Sequence, residues 1–531
     1  MTTLSVYDTT LRDGSQCESI SFSTADKLRI LQCLDEFGVA CVEGGWPGAN
    51  PKEMAFFEAA HDLELAHTRL AAFGSTCRRQ RAAEDDENLQ CLLATEAPVC
   101  TIFGKSWELH VTDVLQTSLD ENLRMIRDSC SFLAAHGREV FFDAEHFFDG
   151  YKDDAAVALD TLHQAVAGGA TTVVLCDTNG GSLPREVEEI TAAACAALPP
   201  EVTVGIHTHN DSGLAVANSL AAVNAGSTQV QGTINGIGER CGNADLCSII
   251  PNLELKCGYR CLPEGNLTHM QDVSNFVYDL ANMRADDRQP YVGRSAFAHK
   301  GGMHVNAMHK NPLTYEHVDA GAVGNSRRIL VSDQAGKSNI LMKAAEHDID
   351  LQSDGEEVKQ ILAELKQLEE EGYEYEAAGA SFEVLMRKTV EEFRPCFELD
   401  GFRVIVEKRG HDEPPISEAT VKVVVDGKAE LSAAEGDGPV NALDRALRKA
   451  LARFYPTVEE VELRDYKVRI LDAEAGTAAK TRVLIESTDG KRMWGTVGVN
   501  ENIIEASWQA LVDSVEYKLY AERNGKGPSE F

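Results

Sequence analysis

The sequence predicts an α/β protein: a TIM (β/α)8 barrel, then a helical linker region, then an α+β pseudo-symmetric C-terminal domain. Three observations predict it. Eight short β-branched runs alternate with helical patterns before about residue 280, no Gly-rich nucleotide turn follows the first run, and a hairpin-and-helix pattern repeats after about residue 394. The runs are Leu4 to Tyr7, Val39 to Val42, Leu70 to Phe73, Val99 to Phe103, Glu139 to Phe142, Thr172 to Cys176, Val202 to Ile206 and Thr228 to Gln231. Between them lie stretches of near-3.6 apolar spacing, such as Lys27 to Phe37 and Leu214 to Ala225, each long enough for a covering helix. Eight such units in roughly 250 residues match a barrel. An open doubly wound sheet carries a glycine turn after its first strand.

At 531 residues the chain is too long for one core. The reading divides it into a barrel (1–280), linker subdomains (281–393) and a C-terminal domain (394–531). In the linker, Glu356 to Glu371 reads as a solvated acidic helix. In the last segment, Asp426-Gly427 and Asp489-Gly490 each join two strands. A Gly-rich loop with an Asn follows (Gly436 to Asn441 and Gly495 to Asn500), then a helix. Asp-Gly between alternating runs marks a hairpin, so the domain is expected to hold two ββα repeats roughly 63 residues apart.

A formal net charge of −35 opposes polyanions, which excludes non-specific binding of nucleic acid and of acidic membranes. An anionic ligand must therefore meet a local cluster of Arg, Lys or helix N-termini. No apolar run of membrane-spanning length occurs. The chain enters a strand without a basic and apolar leader, so a cytoplasmic protein is expected. Its 14 Cys are scattered without a Cys-x-x-Cys pair, as buried thiols in a reducing compartment would be.

Barrel enzymes gather their active residues at the C-terminal strand ends. Titratable residues follow the runs here: Arg12-Asp13, Glu43-Gly44-Gly45, Lys105, Asp143 to His146, Asp177 to Gly180, His207 to Asp211, and Asn235 to Asn243. In a strand, residues two apart face the same side, so His207 and His209 can share one ion. In a closed barrel Asp13 lies across from them and Asn243 between. One carboxylate, two imidazoles and an amide oxygen suit Mg²⁺, Mn²⁺ or Zn²⁺, with no thiolate to single out Zn²⁺. A 2-oxo acid would chelate such an ion at its open positions, and Arg12 would meet the developing alkoxide. Thr178 has two readings, a hydrogen bond to the substrate carboxylate or an N-cap before Leu183-Pro184. Glu145 also has two. Flanked by Phe141, Phe142, Phe147 and Phe148, it is a desolvated general base, or else an ion-paired loop carboxylate. Asp143 is expected to contact substrate. Arg78, Arg79 and Arg81 are either a phosphate contact or an ordinary solvated helix start.

Asp8 to Gly14, His207-Thr208-His209-Asn210-Asp211, Cys176-Asp177-Thr178-Asn179-Gly180 and Gly236 to Asn243 together resemble the 2-isopropylmalate, homocitrate and citramalate synthase family. The likeness covers nearly the full length, since these acyl-CoA condensing enzymes also carry an amino-acid-sensing pseudo-repeat at the C-terminus. Gly44 to Lys52 and Asp143 to Tyr151 look like the branch that joins pyruvate to acetyl-CoA. The resemblance implies a Claisen-type condensation, a divalent metal on Asp13, His207 and His209 with Asn243 nearby, a polarising Arg12, a catalytic Glu145 and a 2-oxo acid contact at Thr178. It also implies a catalytic His304 in Ala298 to His304, a homodimer, and feedback by a branched-chain amino acid, isoleucine for that branch. His299 is a second claimant to the His304 role, and a plain hinge is the alternative for this segment. A Tyr found in some family members near Gly324 to Arg328 has no match, and Tyr315 is a loose substitute. The alternatives are a larger 2-oxo acid, a metal-dependent acyl-CoA lyase on the same barrel, and an amino-acid sensor whose barrel is only a scaffold.

Overall fold

The computed structural model describes residues 2–330, 336–352, 355–390, 394–472, 476 and 478–523. The chain forms two compact units, one of residues 1–297 with 318–326, the other of residues 298–317 with 327–531.

In the first unit a closed barrel is built from β1 (Ser5–Asp8), β2 (Cys41–Gly45), β3 (Arg69–Ser75), β4 (Val99–Lys105), β5 (Glu139–Glu145), β6 (Thr172–Asp177), β7 (Thr203–Thr208) and β8 (Gln229–Gly232). All neighbours pair in parallel, and β8 closes on β1 through Val6↔Val230 and Tyr7↔Gln231. Each of the eight β-branched runs supplies one strand. Strands covered on both faces read as unbroken apolar runs; in β6 all six residues are buried. The polar residues that follow two of the runs extend their strands: β5 continues through Asp143 to Glu145 and β7 through His207 and Thr208.

Covering helices start where side-chain acceptors meet the first free N–H groups. Ser23 and Asp26 form a capping box on the helix Thr24–Phe37, Asn50 precedes Pro51 at the start of Pro51–Ala60, and Asp154 caps Ala155–Ala167. The first helix ends at Gly38, whose φ of 91° and contact with Pro263 leave no room for a side chain. Among the described residues no helix is long and apolar enough to cross a membrane.

In the second unit, Glu356–Glu371 is helical as predicted but is not merely solvated. Its stripe of Val358, Ile361 and Leu365 is buried in a core with Ile340, Phe382 and Met386 from the helices Lys337–Glu346 and Gly379–Thr389. The acidic composition hid an i, i+3, i+7 face.

The C-terminal repeat has three strands per copy rather than two. Glu398–Glu407, Ile416–Val425 and Lys428–Gly436 form one antiparallel sheet followed by the helix Pro439–Leu451; Glu462–Ile470, Thr481–Thr488 and Met493–Asn500 form the other, followed by Ile503–Arg523. The leading strand of each copy is largely exposed and lacks the clear alternation that would mark it. Asp426 and Gly427 take the two positive-φ positions of a tight hairpin, at 48° and 76°. Gly495 to Asn500 is strand, not loop. A Cβ at Gly495 would lie 1.9 Å from the Ala377 carbonyl, and one at Gly498 2.0 Å from that of Ala506. These glycines admit close backbone approach.

Asp35, at the end of the first helix, accepts from the N–H groups of Ala66, His67 and Thr68 at 2.9, 2.8 and 2.8 Å, tying the helix to the segment entering β3. Burial opposes its charge, but the three N–H groups hold the carboxyl below its ordinary value. A lowered folded pKa contributes stability that is complete above the unfolded value of about 3.9 and is lost as pH falls through the folded one. Asp35→Ala is expected to cost about 2 kcal/mol in denaturant unfolding at pH 7. The gap between the two proteins should narrow below about pH 4; a pH-independent gap would refute the carboxylate's role.

Candidate metal centre and active site

The ends of β1 and β7 bring three sequence-predicted ligands together. His207 Nε2 lies 3.3 Å and His209 Nε2 3.9 Å from Asp13 Oδ2, and the two ring nitrogens are 3.4 Å apart. All three residues are buried. Arg12, His207 and His209 hold the Asp13 carboxyl well below its usual range despite its burial. Burial and the neighbouring His207 push His209 down to about 3. For His207 burial is outweighed by its hydrogen bond to Asp13, and its pKa is raised.

Asn243 is brought beside His209 by a single antiparallel bridge. Its Nδ2 faces the Ile237 carbonyl at 3.4 Å, and a Cβ on Gly238 would sit 2.1 Å from that nitrogen, so Gly238 makes room for the amide. Asn243 Oδ1 is buried with no hydrogen-bond partner among the described residues. A buried orphan acceptor is costly. Two imidazole nitrogens and a carboxylate oxygen, of His207, His209 and Asp13, lie within 4.8 Å of one another. One carboxylate and two imidazoles, with an amide oxygen available on the residue bridged to His209, fit a divalent cation.

Arg12 lies between two carboxylates. Its Nε is 2.5 Å from Glu43 Oε1, its Nη1 is 3.5 Å from Asp13 Oδ2, and its Cζ sits 3.8 Å over the Phe73 ring. Burial disfavours its charge, but Asp13 and Glu43 raise its pKa above the ordinary value. Glu43 is fully buried and also accepts from Tyr7 Oη and Thr9 Oγ1, both at 2.6 Å.

A cavity of about 210 Å³ opens on this group, lined also by Asp143, Glu145 and Thr178. A larger groove of about 580 Å³, between the helices Thr24–Phe37 and Met270–Leu280, contains none of the residues predicted for chemistry. Thr178 Oγ1 accepts from the His146 N–H at 2.9 Å. It does not cap the following helix, where Glu186 Oε2 accepts from Leu183 N–H instead. Glu145 is ion-paired with Lys105 and keeps about a quarter of its side-chain exposure. Phe141, Phe142, Phe147 and Phe148 all turn into the core, so sequence adjacency does not give Glu145 an apolar pocket. Asp143 is buried and accepts from Gln231 Nε2 at 3.2 Å; burial and the nearby Glu43 raise its pKa to about 7.

The remaining candidates have other partners. Arg79 donates to the carbonyls of Leu115 and Gln116, and Arg81 to that of Asp85, which supports the structural reading of that arginine group. His304 is in the second unit, exposed on the helix Gly302–Lys310, with its ring stacked on Tyr315 at 4.3 Å. His299, the other claimant, is bound to Glu316 at 3.0 Å. No role was expected for Glu43, Lys105 or Gln231, whose partners lie 24 to 88 residues away. Their one signal was a polar residue in or at the end of a barrel strand.

Barrel, strand-end cluster and trailing repeat define a class: TIM barrels with a candidate metal centre at the strand ends and a C-terminal repeat domain. Residues 3–277 match the HMGL-like family model, 291–373 the homocitrate synthase post-HMGL domain-like model, and 376–519 the LeuA allosteric (dimerisation) domain. The chain is 54% identical to (R)-citramalate synthase of Aquifex aeolicus, covering 97% of each chain, and 54% identical to that of Geobacter sulfurreducens, covering 99% of each. A probable 2-isopropylmalate synthase of Methanopyrus kandleri is 32% identical over 96% of this chain and 97% of its own. The chain belongs to the citramalate synthase family, within the HMGL-like barrels that carry a LeuA-type allosteric and dimerisation domain.

Asp13→Ala and His207→Ala each remove one ligand atom. Mn²⁺ binding to the chelator-stripped protein, followed by electron paramagnetic resonance, is expected to weaken by more than the ~10–100-fold typical of outer-shell losses. Native affinity in either variant would refute the assignment.

Proposed function

We propose that the chain catalyses the condensation of acetyl-CoA with pyruvate and the hydrolysis of the thioester, giving (R)-citramalate and CoA in the route to isoleucine. The observation that carries it is the placing of Asp13, His207, His209 and charged Arg12 on one small cavity, with Asn243 bridged to His209. A bound Mg²⁺, Mn²⁺ or Zn²⁺ would supply Lewis-acid polarisation of the ketone. Arg12 faces the developing oxyanion, fixed beforehand by Glu43. Thr178, already accepting from His146, turns its O–H toward the substrate carboxylate. Glu145 takes a proton from the acetyl methyl group, and His304 is the companion acid–base residue by its family motif. Thiol release from acetyl-CoA on adding pyruvate tests the reading; release without a 2-oxo acid, or none with any, would overturn it. Reverse cleavage as the favoured direction would support the lyase. A cytoplasmic homodimer completes the proposal.

The preference for pyruvate rests on an aromatic wall. Trp46 meets Phe73 and Phe103 edge-on at 5.7 and 5.6 Å, and those two rings stack at 5.5 Å. Trp46 Nε1 donates to Asn88 Oδ1 at 2.7 Å, and Asn88 in turn donates to the Ser75 carbonyl. The three rings line the same cavity as Arg12 and Thr178, so a larger C3 substituent would have to fit against them. Trp46→Leu is expected to raise kcat/KM for 3-methyl-2-oxobutanoate relative to pyruvate by about 10–100-fold. An unchanged ratio would rule out the wall as the determinant.

We assign isoleucine as the effector of the LeuA-type domain. Millimolar isoleucine should lower the activity of the full chain and leucine should not. Inhibition by leucine alone would favour the 2-isopropylmalate reading.

A further inference from the structure

His207 offers a metal only one of its two nitrogens, and a partner outside the ligand set determines which. Its Nε2 faces Asp13 and His209, while its Nδ1 lies 2.9 Å from Gln231 Oε1. The two residues are direct neighbours across β7 and β8. For Nε2 to present a lone pair, Nδ1 must carry the hydrogen, and an amide oxygen is the acceptor that requires it. An amide can present either end, so something must hold this one. Gln231 Nε2 donates to Asp143 Oδ1 at 3.2 Å from the far side of the barrel. A flipped amide would set its oxygen against that carboxyl and its NH2 against Nδ1. All three residues are at least nine-tenths buried, so water is a poor substitute for either contact.

We propose that Gln231 is a positioning residue for the metal centre, and that Asp143, which sequence reading placed on the substrate, acts through it to fix the tautomer of His207. The inference rests on the reading of Asp13, His207 and His209 as metal ligands. Either protonation state of Asp143 leaves a carbonyl lone pair for Gln231, so the relay needs a carboxyl or amide at position 143 but no charge. That separates it from a direct ionic contact with substrate, and it gives the conservative variant an opposite outcome from the apolar one.

The test is calorimetric titration of Mn²⁺ into chelator-stripped full-length protein, with far-ultraviolet circular dichroism as the check on folding. Gln231→Leu and Asp143→Leu are each expected to weaken Mn²⁺ binding by about 10–100-fold. Asp143→Asn, whose carbonyl still accepts from Gln231, should stay within about threefold of the unmodified chain, well below that range. Should Gln231→Leu fail to fold, the Asp143→Asn and Asp143→Leu pair decides alone. Unmodified affinity in a folded leucine variant, or equal weakening by asparagine and leucine at position 143, would overturn the relay. If the unmodified chain binds no Mn²⁺, the metal assignment itself falls and the relay with it.

Discussion

The barrel mouth depends on one constraint: Arg12 is clamped between Glu43 and Asp13, with its flat face on Phe73. A guanidinium that can only donate is fixed by one acceptor on β2 and one in the loop after β1, so its position follows from those two neighbouring strands pairing in register. Glu43 is the deeper anchor. It takes donors from Tyr7, Thr9 and Arg12, and Tyr7 shares a further hydrogen bond with Thr101. Burying such a carboxylate is tolerable only because its partners are built in. The same clamp leaves Asp13 Oδ2 facing the two imidazoles, so the site for an oxyanion and the site for a cation share one carboxylate.

This accounts for a barrel interior that is polar where apolar layers are usual. Tyr7, Glu43 and Thr101 form one linked group, and Asp143, Gln231 and His207 another. Networks of this kind are rigid when fully satisfied and costly when one member is lost. The atoms left without partners are informative. Asn243, bridged to His209, keeps a buried Oδ1 acceptor with no hydrogen-bond partner among the described residues.

How much of this could be read from the sequence follows from distance along the chain. The eight strands were legible because parallel buried strands are continuous β-branched runs. Asp13, His207 and His209 were legible because each sits at or just past a strand end and a barrel brings such ends together. The stabilising partners were not. Glu43 and Lys105 meet partners from the neighbouring strand or its loop and Gln231 meets Asp143 across the barrel, and nothing in local pattern distinguishes them from other polar strand residues. Glu145 shows the reverse error, since neighbouring Phe residues implied an apolar setting that strand and helix geometry directs elsewhere. The leading strands Glu398–Glu407 and Glu462–Ile470 escaped notice because their exposed faces blur the period-two signal.

Charge at the cavity bears on the order of binding. An acidic chain that takes anionic substrates was expected to offer a local basic cluster, yet each cation at the mouth already has a carboxylate: Arg12 with Glu43 and Asp13, Lys105 with Glu145, Arg240 with Asp211. Protein groups alone therefore give an anion little net attraction. A divalent cation held by Asp13 and the imidazoles would change the sign of the local field, because at low effective dielectric two positive charges a few ångströms away outweigh pairs that already cancel. On the proposed reading, attraction of a 2-oxo acid would then follow from occupancy of the centre, and the paired cations would set direction rather than strength. Thr178 and Arg12 are suited to that task, each held by another group before the substrate arrives.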